Sequence, residues 1–172
     1  ILETPHRLET VHRIIGFQRR LVESGAFRNP RSHIYYLPEL YSAYFGRCHA
    51  AFMALPAPAR RAIDPDGTFQ FVRGKVLAYV EDELIAREMN PFDAALALMA
   101  LAHLGADIST FTPALHCIVS HLGEGGRHGP YKAYEWNKMK TPTRILVGGP
   151  EVTSAFVLMG LALARKKLAN SE

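Results

Sequence analysis

The stretch from Phe92 to Leu104 reads FDAALALMALAHL, and it constrains the fold more than any other part of the chain. Asn90 just before it is a helix-capping residue type, and Pro91 suits the first helical position. Wound into a helix, the segment is apolar almost all round, so it has hardly any face to offer water. A helix of that kind belongs in the middle of a fold. The other segments must surround it, each with one apolar stripe turned inward.

The rest of the sequence supplies such stripes. From Leu8, the residues Val11, Ile15 and Val22 recur at helical spacing, joined by Ile14, Phe17 and Leu21. Glu9, Arg13, Arg19, Arg20 and Glu23 take the other face. Gly25 and the pair Asn29-Pro30 end that helix. A second helix is expected over Tyr36 to Leu55, after which PAPARRAIDPDG breaks the chain with three prolines and a glycine. A third runs from Phe69 through Val72, Val76, Leu77, Val80 and Leu84.

Beyond the central segment, Gly105 stops the helix, and Asp107 or Ser109 caps a fifth that reaches Leu122. Phe111, Leu115, Ile118, Val119 and Leu122 are expected to form its buried face. GEGGRHGP then turns the chain into a short sixth helix over roughly Tyr131 to Met139. TPTRILVGGP reads as irregular. EVTSAFVLMGLALARKK is the last helix, with Arg165, Lys166 and Lys167 where cations favour a helix C-terminus. Period-2 alternation is weak throughout, so the pattern gives an all-α fold of about seven helices. Phe92, Leu96, Met99, Leu115 and Phe156 are its expected core.

With 172 residues, 48% of them hydrophobic, the chain can fill one good core, most simply as a single domain over residues 1–172. Twenty basic against 16 acidic residues leave a net charge of +4. That falls short of the clustered cationic field of a dedicated nucleic-acid binder. Cys48 and Cys117 are too few for a disulfide framework, and a reducing compartment is expected. No apolar run reaches the roughly 18 residues of a membrane-spanning helix, so no membrane insertion is expected. The sequence starts at Ile1 rather than Met, which suggests a cleaved presequence or a fragment, the organelle address having gone with the missing piece.

Residue types that tempt one toward chemistry have plainer readings. His116, Cys117 and His121 lack the tight spacing and the second Cys/His pair that zinc asks for. GEGGRHG follows no strand and lacks the Lys-Ser/Thr of a phosphate-binding loop. The run Glu81, Asp82 and Glu83 reads as a solvated helix face. No catalytic constellation and no cofactor site emerge, and an enzyme is not expected.

Successive helices call for a repeat search. The openings YYLPEL, TFQFV, TFTPAL and TSAFVL start at residues 35, 68, 110 and 153, at intervals of 33, 42 and 43 residues. Three of the four begin with Thr, and each follows a turn element. They read as a degenerate series of helical hairpins, each covering its neighbour's apolar face.

The window from Asp107 to Lys140 resembles a pentatricopeptide repeat. In that family an Asp precedes a Thr-aromatic-polar opening, a Gly-Arg turn follows, and a second helix carries Ala, an aromatic residue and a closing Met. Thr110-Phe111-Thr112, Gly126-Arg127, Ala133, Trp136 and Met139 occupy those places. The resemblance implies a solenoid of helical hairpins, a fold that often reads single-stranded RNA one base per repeat. The reader two residues after each opening would be Leu37, Gln70, Thr112 and Ala155. Gln70 and Thr112 can hydrogen-bond a base edge and are the RNA-contact candidates. Leu37 and Ala155 cannot, and would leave polar edges unpaired at about 1–3 kcal/mol each.

Size, repeat type and blank readers together make the chain similar to the pentatricopeptide-like small subunits of the euglenozoan mitochondrial ATP synthase. Those subunits sit outside the catalytic head against its α subunit. The similarity implies a non-catalytic structural subunit on the matrix side of the mitochondrion, docked to other protein subunits. The alternative is an organellar RNA-binding or ribosome-associated repeat protein. Two further features suit docking. Tyr35, Tyr41, Tyr44 and Tyr134 read as exposed aromatics, which are enriched at interface cores. The segment Lys140 to Pro150 reads as an arm ordered by a partner.

Overall fold

The computed structural model describes residues 5–28, 38–129, 131, 134–137, 144–147 and 149–169. Among these residues seven α-helices follow one another: α1 (Pro5–Glu23), α2 (Pro38–Met53), α3 (Ala57–Ile63), α4 (Thr68–Tyr79), α5 (Pro91–Leu104), α6 (Thr112–Ser120) and α7 (Pro150–Ala169). Between α6 and α7 lies one antiparallel hairpin, β1 (Tyr134–Asn137) paired with β2 (Arg144–Val147). The fold is all-α with this small hairpin added.

The apolar segment is α5, and it is the hub. Phe92, Leu96, Leu98, Leu101 and Leu104 are buried, as are its alanines at 94, 95, 97 and 100. Its ends are set by local chemistry. The Asn90 side-chain oxygen accepts from the backbone N–H groups of Phe92 at 2.9 Å and Asp93 at 3.0 Å. Gly105 ends the helix with φ 73°, the left-handed conformation that glycine adopts without a Cβ penalty.

α5 lies between α2 and α7 and also packs on α4 and α6, while α1 packs mainly on α4. Two glycines let the neighbours come close. A Cβ on Gly46 would stand 3.2 Å from the His103 Cβ, and one on Gly160 would stand 3.0 Å from the Ala95 carbonyl oxygen. The order α2–α5–α7 follows the chain, as stacked hairpins would. The bundle is nonetheless organised around α5 rather than along a repeat axis.

The helix expected over Phe69 to Leu84 is α4, which starts at Thr68 and continues into Val80–Leu84, wound as a π-helix. Asp64 anchors its start by accepting from the N–H groups of Thr68 at 2.7 Å and Phe69 at 2.9 Å.

Several expectations are corrected. PAPARRAIDPDG contains α3, because Pro56 and Pro58 fall before and within the first turn, where a missing N–H costs nothing. The expected sixth helix over Tyr131 to Met139 is not formed, and β1 occupies Tyr134–Asn137 instead. TPTRILVGGP is not wholly irregular, since Arg144–Val147 is β2. Aromatic and β-branched residues favour strands, and Pro130 and Pro142 discourage a continuous helix on either side of β1.

On α6 the buried face is Phe111, Ala114, Cys117 and Ile118. Leu115 is half-buried, while Val119 and Leu122 are 68% and 53% exposed. Ala114 and Cys117 are buried there, and the Cys117 thiol reaches the Met89 carbonyl just before α5. Phe92, Leu96 and Met99 are buried as expected, and Phe156 is half-buried against Phe92, ring centroids 5.1 Å apart. Asn29, Pro30, Tyr35, Tyr36, Leu37, Ala133, Met139 and residues 140–143 lie outside the described residues.

Candidate functional site

α1 carries more apolar side chains than one buried stripe can use. Ile15, Leu21 and Val22 enter the core, but Ile14 is 57% and Phe17 51% exposed. Opposite them on α2, Tyr44 is 50% exposed and Cys48 is exposed as well. Because α1 rests mainly on α4 and α2 on α5, a gap opens between α1 and α2. That gap is an apolar groove of about 510 Å³.

Its floor is aromatic. Phe27 and Tyr41 lie 5.5 Å apart, and Tyr41 stacks on Phe45 at 6.1 Å. Phe45 stacks on Phe69 at 6.1 Å, and Phe69 on Phe52 at 4.4 Å. The row runs along α2 and onto α4, joining groove floor to core. One polar pin crosses the groove, the Tyr41 hydroxyl donating to the Gln18 side-chain oxygen at 2.7 Å. Burial, and then the nearby Cys48, push the Tyr41 phenol far above its usual range, so it stays a neutral donor. Burial and then Glu39 raise Tyr79, deeper in, to about 12.

Among the described residues no cation lines the groove itself, while Arg13, Arg20 and Arg47 are exposed on the outer sides of α1 and α2. Arg13 is 3.7 Å from Glu9, and Arg19 pairs with Glu23 at 2.8 Å while lying over the Phe71 ring. Arg20 and Arg47 form no ion pair among the described residues.

Other polar clusters serve the architecture. Glu39, buried at the start of α2, pairs with Arg87, whose guanidinium is 3.9 Å from Asp93. Burial opposes the Arg87 charge, but the hydrogen bond and charge of Glu39 outweigh it and raise its pKa. Arg28 pairs with Glu83 at 2.5 Å, so the acidic run is partly tied down. The Cys117 thiol donates to the Met89 carbonyl at 3.1 Å, and burial raises its pKa, which suppresses the thiolate. His121 Nδ1 sits 2.9 Å from the Cys117 carbonyl. Among the described residues no group of three His, Cys, Asp or Glu side chains could hold a metal ion. No helix of the described residues is long and apolar enough to cross a membrane.

The RNA-contact candidates lie outside the groove. Gln70 is exposed on α4 and Thr112 is exposed at the start of α6, separate helices that each pack on α5. Ala155 is exposed on α7 and Leu37 is outside the described residues. Thr153, the opening residue of the fourth window, is fully buried. Tyr41 proves half-buried rather than exposed, Tyr44 is exposed as expected, and the Tyr134 side chain lies outside what is described.

The sequence reading joined Ile14 and Phe17 to the apolar face of the first helix and so missed the groove. The one available signal was their surplus, since the stripe Val11, Ile15 and Val22 was already complete without them. No protein-family model, no curated protein and no solved structure matches this chain.

Proposed function

We propose that this chain is a non-catalytic scaffold subunit of a mitochondrial assembly. In the reading we favour it docks to the α subunit of the ATP synthase catalytic head, on the matrix side, and carries no cofactor. The observation that carries the docking role is the apolar groove with Ile14, Phe17 and Tyr44 left open to solvent around it. Contiguous exposed apolar surface marks interaction sites, and aromatic residues concentrate at interface cores. The identity of the partner rests on the pentatricopeptide-like window from Asp107 to Lys140 and on the blank reader positions Leu37 and Ala155.

Native purification of the tagged chain with mass spectrometry of what co-migrates tests this reading. Co-migrating ATP synthase head subunits are expected. Ribosomal proteins or RNA in their place would refute it, as would nucleotide hydrolysis by the pure chain.

The second reading, an organellar RNA-binding or ribosome-associated protein, draws on the exposure of Gln70 and Thr112. Nanomolar binding of a defined oligonucleotide, lost in the Gln70→Ala, Thr112→Ala double variant, would favour it. A net charge of +4 gives little counterion release, so only weak, salt-sensitive binding is expected.

A further inference from the structure

We infer that the groove between α1 and α2 receives an amphipathic helix of a partner protein, one with an apolar ridge and acidic flanks. The inference rests on the scaffold reading above and specifies its surface and the chemistry of its ligand.

Length is the first argument. The α1 wall runs from Ile14 to Leu21 and the α2 wall from Tyr41 to Cys48. Each spans seven residue-to-residue steps of helix, about 10.5 Å. That is the distance from the first to the last anchor of an i, i+3, i+4, i+7 ridge, the pattern read in helix-in-groove recognition. A third helix laid between the two walls would complete a three-helix contact over a floor of Phe45 and Phe69.

Polarity is the second. The hydrogen bond across the groove, Tyr41 to Gln18, is satisfied within the chain. An entering apolar ridge therefore leaves that donor and acceptor paired.

Charge is the third. On the helical wheel Arg13 and Arg20 stand beside Phe17, on the side away from buried Ile15 and Val22. Arg47 stands next to Tyr44 on the outer side of α2. Glu9 offsets Arg13 in part, whereas Arg20 and Arg47 have no ion pair among the described residues. A helix whose apolar ridge is flanked by Glu or Asp would meet a cation beside each wall. Flanking Lys or Arg would be repelled, so the rim selects by charge as well as by shape.

The test uses the full chain and a synthetic helical peptide with Leu and Phe at the four ridge positions and Glu on both flanks. Cys48 reports on the groove because it lines the site and is exposed, whereas Cys117 is buried. Saturating peptide should slow maleimide modification of Cys48 by about tenfold or more, and replacing the flanking Glu by Lys should weaken binding by about tenfold. Phe17→Glu should abolish both effects without changing the circular dichroism spectrum. Tyr44→Glu serves the same purpose should Phe17→Glu fail to fold.

Absence of Cys48 protection, or equal binding of the Lys-flanked peptide, would overturn the inference. So would protection that rises with protein concentration alone, because a second copy would then be the occupant. Co-migration of head subunits lost in a folded Phe17→Glu chain would support it. If that chain still carries the head subunits, the groove inference fails and the scaffold reading stands. If the peptide binds as expected but no head subunits co-migrate with the native chain, the scaffold partner fails and the groove stands.

Discussion

Replacing Gly160 by alanine isolates the contact between α5 and α7, where two effects oppose each other. In a helix interior alanine is favoured over glycine by about 0.8–1.0 kcal/mol. Against that, the new methyl would sit 3.0 Å from the Ala95 carbonyl oxygen, 3.4 Å from the Ala95 Cα and 3.5 Å from the Leu98 Cβ. Two of those three atoms belong to the backbone of a buried helix, so relief requires α5 and α7 to separate. Overpacking of this kind costs about 1–3 kcal/mol. The net effect is a loss of about 0–2 kcal/mol.

Gly74→Ala is the matched control, because Gly74 is an exposed mid-helix glycine on α4 with nothing within 4 Å of its would-be Cβ. It should gain the propensity term alone, about 0.8–1.0 kcal/mol. The propensity terms cancel between the variants, leaving the steric cost of about 1–3 kcal/mol as their difference. At roughly 2–4 °C per kcal/mol for a chain of this size, their melting temperatures should differ by about 2–12 °C, with Gly74→Ala the higher. Thermal melts followed by circular dichroism, with urea titrations as a check, measure it. Equal stabilisation by both substitutions would refute the close approach of α7 to α5.

Leu96→Ala should cost about 2–5 kcal/mol in urea denaturation, since Leu96 is fully buried at the hub, and a loss below about 0.5 would make α5 peripheral. Asn90→Ala removes the acceptor for two N–H groups at the start of α5 and should cost about 1 kcal/mol by the same assay. Acid should weaken the fold through two histidines. Burial and then Arg73 lower the pKa of His49, while burial and then Arg47 and Lys166 lower that of His103. The unfolded chain therefore takes up these protons first. Stability from this source is complete above the ordinary histidine pKa of about 6.5 and is lost as pH falls through it to the folded-state values. A His49→Gln, His103→Gln double variant should flatten that stretch of the stability-against-pH curve, and an unchanged slope would refute the assignment.

What could be read from the sequence was what local chemistry decides. The cap at Asn90, the stop at Gly105 and the all-round apolar pattern of α5 involve neighbours within one or two turns. The same holds for the single periodicity that carries α4 into its π-helical end. The short elements were harder. α3 hid behind its prolines, which break a helix in its interior but not in its first turn. β1 and β2 are four residues each and too short for an alternation to register. The groove could not be read because it depends on tertiary choice. Whether Ile14 and Phe17 are buried is decided by which helix α1 rests on, and nothing within α1 specifies α4 over α2. On α6 the expected stripe took in Val119 and Leu122, which are exposed, while Ala114 and Cys117 are buried.

The seating of α1 also bears on how the molecule opens. Apart from Ile15, Leu21, Val22 and the Gln18 link to Tyr41, α1 is held through α4 and through His12, whose Nε2 is 2.9 Å from the Ala62 carbonyl on α3. Its main packing is on α4 rather than on the α2–α5–α7 layer. Helices with few buried contacts open at a lower free energy than the global transition, so α1 should exchange its amide hydrogens ahead of α5. A partner helix in the groove would touch both walls at once and join the two into one cooperative unit. Docking would then stabilise the N-terminal helix by mass action, and an undocked copy would be the one most open to proteolysis there.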